Sequence, residues 1–143
     1  MESHRIESFR RDVRRIEREI DRQLKNSRIC CGVSLAQCHM LMELGLHAPM
    51  TISGLAEIMK LDKSTLSRTI ESMVRAGLVE RTISPQDRRC MDVALTGEGK
   101  RIFHSINGSC NGIYAGILKR IPEHKHGVVF EGMTLLADAM RGI

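Results

Sequence analysis

The chain has 143 residues, of which 42% are hydrophobic and 27% are charged. This composition is typical of one globular domain with helical extensions, and it excludes both a disordered chain and two large independent domains. No stretch is long and apolar enough to cross a bilayer, and the Arg- and Glu-rich N-terminus lacks the apolar segment of an export signal. We therefore expect a cytoplasmic protein without a membrane partner.

Charge is concentrated in two parts of the chain. Residues 1–28 and residues 60–101 each carry nine basic and six acidic side chains, whereas residues 29–59 contain no Lys or Arg. The net charge of +5 permits a polyanionic partner. Three Phe, one Tyr and no Trp argue against a stacking platform for single-stranded nucleic acid, so a protein that binds the duplex backbone remains open.

Helical patterns begin the chain. Apolar side chains recur at intervals of three and four from Ile6 to Leu24, which predicts an amphipathic first helix that ends within residues 26–32. Ser34 and Gln37 have the spacing of a capping box and open a second helix. Gly45 is predicted to end that helix.

Two further short helices follow. Thr51 or Ser53 can cap a third helix that continues through Met59. Asp62 can cap a fourth helix that ends at Gly77.

The periodicity then changes from helical to alternating. Residues 78–83 and 90–95 alternate apolar and polar side chains around a basic turn, which predicts a two-stranded hairpin. Thr96 caps a long fifth helix that lasts until Pro122, and a sixth helix covers residues 129–140. The predicted fold class is mainly α with one small β-hairpin.

Three short helices followed by a basic hairpin are typical of a winged helix-turn-helix, in which the third of these helices enters the major groove and the hairpin is the wing. We predict that residues 31–99 form this DNA-binding domain and that residues 1–30 and 100–143 are dimerisation helices. The first helix is stable only if its apolar stripe is buried, and the fifth helix offers a matching apolar surface against which it can pack. Two copies also supply the symmetry that paired operator half-sites require.

The start of the fourth helix carries candidate DNA-binding residues. Their hydroxyl and cationic side chains can donate to phosphates and to base edges. They are Lys63, Ser64, Thr65, Ser67, Arg68 and Thr69. Taken alone, this face could equally be solvated surface, and it is the neighbouring basic hairpin that favours DNA.

Four motifs stand in a fixed order along the middle of the chain. They are LDKSTLSR at 61–68, GLVER at 77–81, DRR at 87–89 and LTGEG at 95–99. Their order and spacing resemble those of the MarR family of bacterial and archaeal transcription regulators, and the resemblance covers residues 34–99. It implies a winged-helix homodimer with interlocked terminal helices, which binds a palindromic operator and usually represses it until an effector arrives.

The same resemblance implies roles for residues on the wing. Arg89 would enter the minor groove, where negative potential is focused, and Asp87 would help to hold the wing. Arg88 would add a phosphate contact, and we include Ser53 and Arg81 among the expected DNA-binding residues. The alternative for the two adjacent arginines is a solvated turn.

Five cysteines, an odd number, do not indicate structural disulfides in a reducing compartment. We predict that Cys30 and Cys31 lie in a loop, with Cys38 and His39 on the second helix and Cys110 on the fifth. Such soft ligands suit a thiophilic ion such as Zn, Cd, Hg or As(III). Burial as small hydrophobic side chains and thiol oxidation are the alternatives.

The resemblance bears on the identity of that ion. Zinc-responsive members of the MarR family place a carboxylate and a histidine where Cys38 and His39 stand, with further histidines on the fifth helix. This chain offers His104 and Cys110 at the latter positions. Because this chain has cysteines at positions where the zinc-responsive members have a carboxylate and a histidine, the resemblance favours an ion softer than zinc.

No phosphate loop, nucleophile elbow or HExxH helix is present, so we expect no enzyme. Control by an aromatic or lipophilic acid bound between the dimer helices and the winged domain is an alternative to control by a metal. The alternative from a different class is a helical protein-interaction adaptor whose basic surface is incidental.

Overall fold

The computed structural model describes residues 2–31 and 33–143, and it describes side chains for residues 2–23 and 33–143. This part of the chain is mainly helical with a small antiparallel sheet. In chain order the elements are α1 (Ser3–Cys31), α2 (Leu35–His47), β1 (Met50–Thr51), α3 (Ile52–Met59), α4 (Lys63–Arg75), β2 (Val79–Ile83), β3 (Met91–Leu95), α5 (Gly97–Leu118), a short 3-10 helix (Glu123–Lys125) and α6 (His126–Met140). None of the helices in the described residues has the length and hydropathy needed to span a membrane.

The chain divides into two compact units. The first, Met1–His104, contains the helices α1 to α4, the sheet and the first residues of α5. The second, Ser105–Ile143, contains the rest of α5, the 3-10 helix and α6.

The predicted helix starts are confirmed by hydrogen bonds. In the capping box of α2, Ser34 Oγ accepts from the amide of Gln37 at 3.2 Å, and Gln37 Oε1 accepts from the amide of Ser34 at 3.0 Å. Thr51, and not Ser53, caps α3, because Thr51 Oγ1 accepts from the amide of Gly54 at 3.0 Å. Each cap satisfies an amide that the first helical turn leaves without a partner.

The predicted hairpin is confirmed, and it belongs to a three-stranded sheet of order β1-β3-β2. β2 and β3 pair antiparallel from Val79 opposite Leu95 to Ile83 opposite Met91. β1 was not predicted, because a strand of two residues is too short to show an alternating pattern. It exists because Met50 lies opposite Val93 on β3.

The core of the first unit lies where α2, α3 and α4 pack on one another and on the sheet. Its largest fully buried side chains are Met40, Leu41, Leu44, Leu55, Leu66, Ile70, Met73 and Val93. The three from α4 are spaced as one helical face, so burial fixes the rotation of α4 about its axis.

Two predicted helix ends and the predicted loop at Cys30 and Cys31 are wrong, whereas the end of α1 at Cys31 lies within the predicted residues 26–32. α2 continues past Gly45 to His47, and Gly45 instead lies against the ring of Phe103, where a Cβ would clash. Cys30 and Cys31 belong to the last turn of α1 and not to a loop. α5 ends at Leu118, before Pro122, because the next residues turn through shorter-range hydrogen bonds.

Gly99 is the glycine whose substitution we expect to disturb this unit most clearly. It is buried in the first turn of α5, and a Cβ there would overlap the backbone carbonyl of Leu78, which also accepts from the amide of Thr96 at 3.0 Å. We expect Gly99→Ala to lower the free energy of unfolding by about 1–3 kcal/mol, the usual cost of overpacking. Urea unfolding measures the change.

Gly97→Ala is the matched control, since a Cβ at Gly97 meets no atom within 4 Å. We expect its unfolding free energy to match or exceed that of the wild type, because alanine has the higher helix propensity. Equal stability of the two variants would contradict the close approach at Leu78.

Candidate nucleic-acid interface

The six candidate residues on α4 lie outside the fully buried apolar stripe of the helix. Lys63, Ser64, Ser67 and Arg68 are exposed, and Thr65 and Thr69 are half-buried. On the opposite side, three apolar residues of α4 are fully buried. The structure therefore presents a polar and cationic helix face to an approaching ligand.

The N-terminus of α4 is held by one carboxylate. Asp62 Oδ1 accepts from the amide of Thr65 at 2.8 Å and from the hydroxyl of Ser64 at 2.6 Å, and Oδ2 accepts from the hydroxyl of Thr65 at 2.9 Å. The Ser64 hydroxyl and then the amide and hydroxyl of Thr65 lower the pKa of Asp62 to about 2. The carboxylate is therefore ionised at all physiological pH values.

This cap decides which donors of α4 are available. The hydroxyl protons of Ser64 and Thr65 are directed to Asp62, and Thr69 Oγ1 donates to the carbonyl of Thr65 at 3.2 Å. Among the described residues, the side chains of Ser67 and Lys63 have no hydrogen-bond partner, and the Arg68 side chain has only a long contact of 3.5 Å to Thr65 Oγ1. Lys63, Ser67 and Arg68 are thus the donors that α4 can offer without rearrangement.

The turn of the hairpin is held by a second carboxylate. Asp87 Oδ1 accepts from the amide of Arg89 at 3.0 Å and from its Nε at 3.3 Å. The amide of Arg89 and then its side chain lower the pKa of Asp87. The Arg89 side chain is still 92% exposed, and Arg88 is exposed as well. Two cations therefore project from a turn that hydrogen bonds hold in shape.

Sequence reasoning placed Ser84 at the start of this turn but missed its role in holding the turn in shape. It is buried, its Oγ accepts from the amides of Gln86 and Asp87 at 3.3 and 3.4 Å, and its own amide donates to the carbonyl of Cys90 at 3.0 Å. The signal for this role was the Ser-Pro pair, because a serine often bonds the backbone two or three residues later in a turn.

The remaining two candidate residues lie on elements that contact α4. Ser53 is exposed in the first turn of α3, and Arg81 is exposed in the middle of β2. α4 packs against both α3 and β2. The eleven predicted DNA-binding residues therefore lie in one compact unit.

The structure describes the side chains of only three of the five predicted metal ligands, Cys38, His39 and Cys110. The side chains of Cys30 and Cys31 lie outside the described residues. Cys38 is half-buried and His39 exposed on α2, whereas Cys110 is half-buried in the second unit. Where side chains are described, no group of three or more His, Cys, Asp or Glu residues could hold a metal ion.

A cavity of about 420 Å³ lies near the C-terminal end of α2. Glu80, Lys100 and His104 add charged or polar side chains to residues that are otherwise apolar. The full lining is Leu44, Gly45, Ala48, Pro49, Glu80, Ala94, Leu95, Lys100, Phe103 and His104. Its size suits a small organic molecule.

Comparison with known proteins places this architecture among transcription regulators. A family model described as the MarR family matches residues 33–91. Three relatives from Bacillus subtilis are the uncharacterized HTH-type transcriptional regulators YfiV (28% identical) and YsmB (33%), and the HTH-type transcriptional repressor MdtR (30%). The matches cover 76%, 71% and 66% of this chain and 68%, 67% and 61% of YfiV, YsmB and MdtR.

Solved structures agree on the fold. A MarR family protein from Bacillus stearothermophilus superposes with a TM-score of 0.88, covering 98% of both chains at 19% sequence identity. FabT from Streptococcus pneumoniae, solved in complex with DNA, superposes with a TM-score of 0.80, covering 99% of both chains at 20% identity.

The capping carboxylate of α4 gives a prediction about stability and pH. We expect Asp62→Ala to lower the free energy of unfolding at neutral pH, because the first amides of α4 lose their acceptor. The pKa of Asp62 in the folded protein, about 2, is below its ordinary value of 3.8. The stability that it contributes is therefore present above about pH 4 and is lost as the pH falls toward 2. Urea unfolding across this range measures the difference.

Asp62→Asn is the control, since asparagine keeps a capping oxygen but does not titrate. Its unfolding free energy should lie closer to that of the wild type than the value for Asp62→Ala. A difference between wild type and Asp62→Ala that stays constant as the pH falls would contradict the role of the ionised carboxylate.

Proposed function

The chain belongs to the MarR family, and on this premise we propose that it is a homodimeric repressor that binds a two-fold symmetric operator in double-stranded DNA. As a member of this family of transcription regulators it is not an enzyme. One observation carries the proposal, which is the exposed cationic and hydroxyl face of α4 in the same unit as an arginine-bearing turn. The similarity to MdtR, a repressor, and to FabT, solved with DNA, agrees with it.

We assign α4 to the major groove. Lys63, Ser67 and Arg68 are the donors with free capacity, and a guanidinium can form two hydrogen bonds to a guanine edge. Ser64 and Thr65 keep the helix end in place through Asp62, so their contribution is to positioning. In this proposal, some side chains of α4 contact bases and others keep the N-terminus of the helix in position.

The hairpin is assigned to the minor groove and the adjacent phosphates. Arg89 projects from a turn that Asp87 and Ser84 hold in shape, so little conformational freedom of the backbone is lost on binding. A narrow minor groove concentrates negative potential, which attracts a guanidinium. Arg88 and Arg81 would neutralise flanking phosphates.

Exposed apolar side chains support the homodimer. On α1, Ile6, Phe9, Ile16 and Ile20 are each at least 40% exposed, although their spacing is that of one helix face. In the second unit Phe130 and Met133 are also about half exposed. An isolated amphipathic helix is marginal in water, so burial by a second copy would supply the missing stability.

Two candidate effectors would act as bound ligands, in addition to the thiol oxidation predicted as an alternative from the sequence. A thiophilic ion held by Cys30, Cys31, Cys38, His39 and Cys110 remains a prediction from the sequence. An aromatic or lipophilic acid has support from the cavity at the end of α2, where Lys100 and His104 could pair with a carboxylate. Separate titrations of the reduced protein with arsenite and with benzoate, followed by release of bound DNA, distinguish the two.

We expect Arg89→Ala to weaken binding at least about tenfold while the fold stays intact, because the side chain that it removes is almost fully exposed. The probe is a duplex that the wild-type protein selects from a random library, and fluorescence anisotropy measures its affinity. The slope of log affinity against log salt should also become shallower by about 0.9 for each phosphate that the variant no longer neutralises.

Arg101→Ala is the control, because Arg101 is an exposed arginine that pairs with Glu98 within α5 and is not among the predicted DNA-binding residues. Its affinity should equal that of the wild type. Equal affinity of Arg89→Ala would remove the wing from the interface. A flat salt response of the wild type would instead favour the protein-interaction adaptor.

For the dimer, we expect sedimentation of the wild type at twice the mass of one chain, and a shift toward single chains in Ile16→Glu. The carboxylate would have to be buried in the interface, which is unfavourable without a partner. Arg15→Glu places the same side chain on the neighbouring position, off the apolar stripe, and should leave the mass unchanged.

If Ile16→Glu does not fold, the wild type alone still tests the dimer. Its thermal midpoint should rise with protein concentration, since dissociation accompanies unfolding. A concentration-independent midpoint together with the mass of a single chain would contradict the homodimer.

A further inference from the structure

The hairpin formed by β2 and β3 has two chemically different faces. Directly opposite residues share a face, and side chains alternate between faces along each strand. One face therefore carries Arg81, Ile83 and Met91, together with the buried residues Val79, Val93 and Leu95 nearer the core. The other face carries Glu80, Thr82, Asp92 and Ala94.

The first of these faces changes character along its length. Val79, Val93 and Leu95 are at most 5% exposed, but Ile83 and Met91 are 62% and 37% exposed. The hairpin extends beyond the core, so this face is buried near Val79 and Leu95 and becomes exposed near the turn. We call Arg81, Ile83 and Met91 the apolar wing face.

Charge also separates the two faces. The apolar wing face contains a cation, Arg81, and no acidic residue, whereas the opposite face contains Glu80 and Asp92. The turn that joins the strands adds Arg88 and Arg89. A polyanion would be attracted to the apolar wing face and repelled by the opposite one.

Packing within the hairpin leaves apolar area uncovered. Ile83 and Met91 are cross-strand partners, and contact between them stabilises the hairpin. Ile83 nevertheless keeps most of its surface in water, so a ligand with an apolar surface would gain from covering it. The walls of the DNA minor groove offer such a surface next to phosphates, because deoxyribose presents its C–H groups there.

We propose that the apolar wing face is the side of the hairpin that lies against the duplex. Ile83 and Met91 pack on deoxyribose in the minor-groove wall, Arg81 reaches a flanking phosphate, and Glu80 and Asp92 face solvent. This inference rests on the proposed function and adds the orientation of the wing and a contact that is not electrostatic.

Two neighbouring substitutions test the orientation. Ile83→Glu and Thr82→Glu introduce the same charge one residue apart on opposite faces of the same strand. Their general effect on attraction to DNA is therefore matched. We expect Ile83→Glu to weaken binding of the selected duplex at least about tenfold more than Thr82→Glu does, because only Ile83→Glu brings a carboxylate against the phosphates. Equal losses would overturn the proposal.

Ile83→Thr tests the apolar contact while keeping a β-branched residue in the strand. We expect a loss of affinity of about threefold to tenfold with the salt slope of the wild type, because every cation that faces a phosphate is retained. A hairpin that had lost its structure would release Arg88 and Arg89 and give a shallower slope. Unchanged affinity, or a shallower slope, would overturn the proposal.

The same measurements separate this inference from the proposed function. If Arg89→Ala binds as tightly as the wild type, the assignment of the wing to DNA fails altogether. If Arg89→Ala weakens binding but Ile83→Glu and Thr82→Glu are equivalent, the orientation alone is wrong. Loss of dimer mass in Ile83→Glu would mean that the face covers a second copy, which would also overturn the proposal.

Discussion

The candidate interface depends on the burial of one face of α4. Leu66, Ile70 and Met73 are fully enclosed by the core of the first unit, and their spacing places them along a single stripe of the helix. Complete burial of side chains of this size contributes about 1.5–3 kcal/mol each, which is far more than any exposed polar group of α4 gains. The core therefore determines which residues of α4 face outward, and the hydroxyl and cationic residues occupy what remains.

On the outward face of α4, polar side chains that could contact DNA also form hydrogen bonds that stabilise the helix. Asp62 takes the donors of Ser64 and Thr65 to complete the first turn, and Thr69 bonds back to its own helix. Lys63 and Arg68 at the start of α4 keep their donors largely free, because the long contact from Arg68 to Thr65 Oγ1 is the only one that either side chain makes within the described residues. These two cations and the Ser67 hydroxyl are therefore the donors of this surface that the fold leaves free to bind a ligand.

Much of this arrangement could be predicted from local sequence. The capping residues Ser34, Thr51 and Asp62 act within three residues of themselves, so their spacing sufficed. β1 and the continuation of α2 past Gly45 could not be found in this way. The strand β1 depends on pairing with Val93, and the role of Gly45 depends on the Phe103 ring, and both of these partners approach only after the chain has folded. The resemblance to the MarR family supplied the roles of the wing residues, which periodicity alone does not give.

The close approach of Gly99 to the Leu78 carbonyl has a mechanical consequence. That carbonyl also accepts from Thr96, and the Thr96 hydroxyl bonds to Gly77, so the start of α5 is fastened to the residues from which β2 departs. A tilt of this end of α5 would therefore displace Gly77 and Leu78, the residues that precede β2. The first residues of α5, up to His104, and the root of the hairpin would then move together.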